Sequence, residues 1–133
     1  MKIEILQGTE KRLYDLVAPL VLNPSVIRQN NGVAFKTATN HIWIVAVSDD
    51  GACIGFLPVQ KKGNTGEINN YHIQNRDEKL LKLLMRQVIK LAKKQKFEAI
   101  DIIAQKHDYK TVLKFGFISE KEFVKYTRFK KIL

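Results

Sequence analysis

His107 is the side chain in this chain best suited to moving a proton at neutral pH. An imidazole has a pKa of about 6.5, so it can act as an acid or a base without a large shift. It stands in the polar run Gln105-Lys106-His107-Asp108, directly after the apolar run Ala99–Ala104. Tyr71 and His72 are a second candidate pair. Neighbours on an extended segment point to opposite faces, so one of the two faces a core and the other a cleft. Cys53 is the one cysteine. No base stands at a spacing that would activate it, and its expected place is a small apolar position. A lone cysteine excludes an internal disulfide and a Cys-rich zinc site. His41, His72 and His107 lie far apart, with no His-x-x-x-His or Glu-x-x-His spacing, so no metal site is expected.

These residues need elements to hold them. Residues 2–6 read as a strand. Thr9 can cap a helix with apolar positions Leu13, Leu16, Val17 and Leu20, in which Pro19 would cause a kink or an early end. A second short helix is expected over Ser25–Asn30, followed by a polar turn at Gln29–Gly32. His41–Ser48 is a strong strand. Asp49-Asp50-Gly51 reads as a hairpin turn and Cys53–Gln60 as the return strand. After the turn 61–66, Glu67–Ile73 reads as a third strand. Residues 76–95 carry Leu80, Leu81, Leu84, Val88 and Leu91 at helical spacing among lysines and arginines. Ala99–Ala104 fits a strand buried on both faces. Tyr109–Phe115 fits a short helix stopped by Gly116, and 117–121 and 123–131 a last pair of strands. This order predicts an α/β protein with a mixed sheet: an antiparallel meander, a crossover helix over 76–95 and a strand beside it, in one domain spanning 1–133.

Charge is placed unevenly. Residues 1–73 hold 7 Lys/Arg and 6 Asp/Glu, whereas 74–133 hold 16 and 7. A basic half attracts polyanions, either nucleic acid or the phosphates of a cofactor, and it also suits a solvated lysine-rich surface. No apolar run approaches the roughly 18 residues needed to cross a bilayer. The first residues alternate like a strand rather than a secretory signal, and a cytoplasmic place is expected.

The long basic helix, the buried strand 99–104, the short helix and the ending Lys114-Phe115-Gly116-Phe117 together resemble the C-terminal half of an N-acetyltransferase of the GNAT superfamily. The order of elements is similar over nearly the whole chain. The resemblance implies acetyl-CoA as co-substrate, lying in a splay between strands 67–73 and 99–104. It implies that the edge at Tyr71, His72 and Ile73 pairs with the pantetheine arm, one strand amide facing the reacting carbonyl. It implies that the loop and first helical turn, Asn75-Arg76-Asp77-Glu78-Lys79-Leu80, hold the pyrophosphate on free backbone N–H groups. Gln105 stands where the family has an asparagine after the buried strand. The family's loop carries two glycines that are absent here, and Asp77 and Glu78 put negative charge where the phosphates would sit. The family's usual tyrosine acid falls on Val112, with Tyr109 three residues earlier. His107 and Tyr71 are therefore the candidate catalytic residues. The loop Arg28-Gln29-Asn30-Asn31 falls where the family builds one wall of its acceptor site.

Two functions follow. One is an acyl-CoA-dependent N-acyltransferase acting on an amine, small or macromolecular, for which the charge suggests an anionic acceptor. The other is a scaffold of the same fold that has lost catalysis and binds nucleic acid or a protein through its basic half. In that reading Phe123, Tyr126 and Phe129 are candidates for base stacking, although their strand spacing also suits packing. A second copy of the chain is a candidate partner through the final strand.

Overall fold

The computed structural model describes residues 1–133. Eight strands form one mixed sheet. β1 (Lys2–Gln7), β2 (His41–Val47), β3 (Cys53–Lys62) and β4 (Thr65–Ile68) run antiparallel in sequence order. β6 (Ala99–Ala104) then lies parallel to β4, from Thr65↔Ala99 to Ile68↔Ile102. β8 (Thr127–Ile132) is antiparallel to β6, and β7 (Ile118–Glu122) forms the outer edge. β5 (His72–Ile73) pairs with β3 alone.

Four helices complete the fold. α1 (Lys11–Val21) covers the face of β1–β3 that carries Trp43, Val45 and Phe56, and α2 (Pro24–Gln29) follows against α1. α3 (Glu78–Lys94) and α4 (Tyr109–Lys114) cover the opposite face, where Ile44, Leu57, Ile68, Ile100 and Ile102 meet Leu81, Leu84, Met85 and Val88. Each of these buried aliphatic side chains contributes roughly 1.5–3 kcal/mol relative to exposure. α3 is thus the crossover expected between two parallel strands, with its lysines outward.

Several expectations needed correction. Thr9 does not cap α1: Glu10 holds that position, and its carboxylate reaches back to accept from the Gln7 N–H at 2.5 Å. Pro19 is tolerated inside α1, which runs on to Val21. α3 starts at Glu78 rather than residue 76, because Asn75 and Arg76 take left-handed φ values of 57° and 51°. The expected strand 67–73 is interrupted, and β4 and β5 flank a break at Asn69–Tyr71. The final strand β8 lies between β6 and β7, so the unpaired edge on that side belongs to β7, exposed at all five residues. Phe129 packs in the core beside Tyr109 at 5.2 Å, while Phe123 and Tyr126 stack on each other at 4.7 Å. Gly116 does end α4, at φ +87°, a conformation that favours glycine.

Candidate active site

The parallel pairing of β4 and β6 stops at Ile68↔Ile102. Beyond it the chain bulges, and β5 rejoins β3 with its register slipped by one residue. β5 has no partner strand on its other side, so a gap opens toward β6. The side chain of Tyr71 fills that gap and is fully buried. Its hydroxyl donates to Asp108 Oδ2 at 2.6 Å and accepts from the Gln105 N–H at 2.9 Å. Its own N–H donates to Asn30 Oδ1 at 3.0 Å. Gln105 Nε2 donates to the Tyr71 carbonyl at 3.2 Å and to Asn30 Oδ1 at 3.4 Å. Burial first, and then the charge of Asp108, pushes the Tyr71 phenol well above its ordinary value. It therefore stays protonated and serves as a strut between the separating strands. His107 Nε2 lies 3.5 Å from Asp108 Oδ2.

Two cavities flank this strut, with Asn31 lining both. The first, of about 320 Å³, lies between the segment after α2, strands β3 and β4, and Tyr126. Its lining is rich in amides (Asn30, Asn31, Gln60, Asn69 and Asn70), with Pro58 and Ile103 as apolar walls. Glu67 is its one carboxylate and Lys36 its one cation. Glu67 is mostly shielded, with Lys62 at 3.8 Å. His41 also lines this cavity; its Nδ1 accepts from the Ala38 N–H at 3.1 Å, and burial lowers its pKa. It is thus held as a neutral ring with its proton on Nε2. The second cavity, of about 370 Å³, is lined by Arg28, Arg76, Lys106, Lys125 and His107, with no carboxylate.

The residues expected to hold a cofactor divide into three places. His72 and Ile73 form β5 and are buried. The His72 ring packs on Phe56 at 5.9 Å, its Nδ1 has no partner, and burial lowers its pKa. Gln105 braces Tyr71. Asn75 and Arg76 form a tight left-handed turn, after which Asp77 caps α3 by accepting from the Lys79 N–H (3.0 Å) and the Leu80 N–H (3.3 Å). Glu78 pairs with Lys82 at 3.2 Å and accepts from Thr111 Oγ1 at 3.3 Å, tying α3 to α4. A diphosphate laid at this helix end would meet a carboxylate already bonded to the amides it needs. The start of α3 therefore does not fit the pyrophosphate of coenzyme A.

The fold is that of the GNAT N-acetyltransferases. Tetrahymena GCN5 superposes with a TM-score of 0.79 at 15% identity, over 99% of this chain and 96% of that one. Escherichia coli ElaA gives 0.78 at 15% identity, over 98% and 99%. The PaiA N-acetyltransferase of Thermoplasma acidophilum, solved in complex with coenzyme A, gives 0.65 at 14% identity over the whole of both chains. No family model matches this sequence, and no curated protein does.

Neither Glu67 nor Asp108 stood out in the sequence, whereas Asn30 fell in the loop expected to wall the acceptor site and does line the first cavity. One signal for Glu67 was present: it is the only acidic residue between Asp50 and Asp77. Asp108 carried no such mark, because it gains its role from Tyr71.

Proposed function

We propose that this chain is an N-acyltransferase that takes an acyl group from an acyl-CoA, with acetyl-CoA the first candidate, and passes it to an amine in the 320 Å³ cavity. The observation that carries this reading is Glu67, a lone shielded carboxylate in a cavity that opens where the central strands part. A carboxylate there attracts an ammonium group and accepts its proton, leaving the amine nucleophilic. The amide-rich walls supply hydrogen bonds that fix the acceptor, and Pro58 and Ile103 exclude water from its apolar part. The thioester supplies an activated carbonyl when the donor is bound. Tyr71 and Gln105 hold the strands at their separation. The Tyr71 N–H becomes available to a carbonyl oxygen only when Asn30 turns away.

The test is release of free thiol from acetyl-CoA in the presence of a panel of amines. Amine-dependent turnover is expected, and Glu67→Gln should lower it by about 10²–10⁴-fold while leaving the fold intact. A well-folded protein that turns over no amine would refute the reading. It would favour the non-catalytic scaffold, for which the closed start of α3 already speaks.

A further inference from the structure

The cations of the second cavity come from four separate segments. Arg28 belongs to α2, Arg76 to the turn before α3, Lys106 to the turn after β6, and Lys125 to the β7–β8 loop. None of the four has an ion-pair partner, although acidic residues elsewhere in the chain pair with Lys2, Lys11, Arg12, Lys62, Lys82 and Lys130. The cavity sits at the mouth of the gap, since Arg76 follows β5 and Lys106 follows β6. A concave surface lined by one sign of charge focuses potential on a ligand. Guanidinium groups grip two phosphate oxygens at once, and lysines add point charges. Four such groups exceed what a single carboxylate would call for and suit two linked phosphates.

We propose that this cleft is a phosphate-binding site that holds the diphosphate of the acyl-CoA donor. This assignment rests on the acyltransferase reading above. The site replaces backbone amides at the start of α3, which Asp77 occupies, with side chains around the mouth of the gap. The donor would then stand on one side of Asn31 and the amine on the other. A nucleic-acid strand presents the same phosphate oxygens, so the test has to separate the two.

The experiment is calorimetric titration of the full chain with coenzyme A, with inorganic pyrophosphate and with a single-stranded oligonucleotide. Wild type is compared with R76A/K106A and with K90A/K93A, which removes the same charge from the outer face of α3. Coenzyme A and pyrophosphate should lose roughly tenfold or more in affinity in R76A/K106A and keep it in K90A/K93A. Asp77→Ala should leave coenzyme A affinity unchanged. Equal losses in the two double variants would show attraction by net charge alone and overturn the site. Tight coenzyme A binding indifferent to Arg76 and Lys106 would overturn the site while leaving the acyltransferase reading in place. An oligonucleotide that binds through Arg76 and Lys106, with no binding of coenzyme A, would overturn the assignment to the donor and the acyl-CoA reading with it.

Discussion

Replacing Tyr71 with phenylalanine removes one oxygen from the middle of the gap. The ring is retained, so little apolar burial is lost. Two groups lose a hydrogen bond: the N–H of Gln105, and the buried carboxylate of Asp108, which keeps only the longer contact to His107 Nε2 at 3.5 Å. An orphaned buried polar group costs about 1–3 kcal/mol, more when charged, so Tyr71→Phe should lower stability by about 2–4 kcal/mol. For a domain of this size each kcal/mol moves the midpoint by roughly 3–5 °C, so a drop of about 6–20 °C is expected. The assay is thermal and urea denaturation at neutral pH. Alkaline pH supplies a second, independent readout. The folded Tyr71 pKa is raised above its ordinary value of 10.0. Its contribution is thus fully present below that value and is lost as pH rises toward the folded pKa, because the unfolded chain ionises first. The variant should lack that part of the alkaline decline. A loss under about 1 kcal/mol at neutral pH, or identical alkaline profiles, would refute the view that the hydroxyl braces the strands.

Three further outcomes follow from the same geometry. Asp77→Ala should cost about 1 kcal/mol through loss of the α3 cap, and Asp77→Asn clearly less, as measured by urea denaturation. His72 is held neutral by burial, so its contribution is present above the unfolded imidazole pKa of about 6.5 and is lost as pH falls below it. His72→Leu should flatten the acid side of the stability profile and cost little at pH 8, since Nδ1 has no partner to lose. In Gly66→Ala the new methyl would meet the Phe97 ring at 2.9 Å and Val59 Cγ1 at 3.0 Å. Overpacking of this kind should destabilise by about 1–3 kcal/mol in thermal melts.

The elements that dominate the fold were legible because their patterns are local. Ala99–Ala104 spans the strand it was expected to span. The leucine stripe of α3 and the Asp-Gly hairpin each needed only their own residues. What escaped was set by pairing across the sheet. Nothing in Glu67–Ile73 announces a break, because the bulge arises from how β5 meets β3. Asp77 and Glu78 were legible as charges out of place in a phosphate loop. That Asp77 bonds the amides itself depends on the left-handed turn before it, which side-chain identity at Asn75 and Arg76 does not advertise. The excess of lysine and arginine was plain, but the meeting of Arg28, Arg76, Lys106 and Lys125 around one cavity is a product of the fold.

The parallel contact between β4 and β6 spans four residue pairs and is the only strand pairing that joins the first half of the sheet to the second. Within each half the strands are antiparallel neighbours, and beyond this contact the halves are joined by side-chain packing against α3. This makes the contact a seam along which the molecule can breathe. Native-state hydrogen exchange should resolve two cooperative units, β1–β5 and β6–β8, with the amides of Thr65–Ile68 exchanging through openings smaller than global unfolding. Such an opening would part the strands that Tyr71 spans, giving a ligand a route into the gap that requires neither half to unfold.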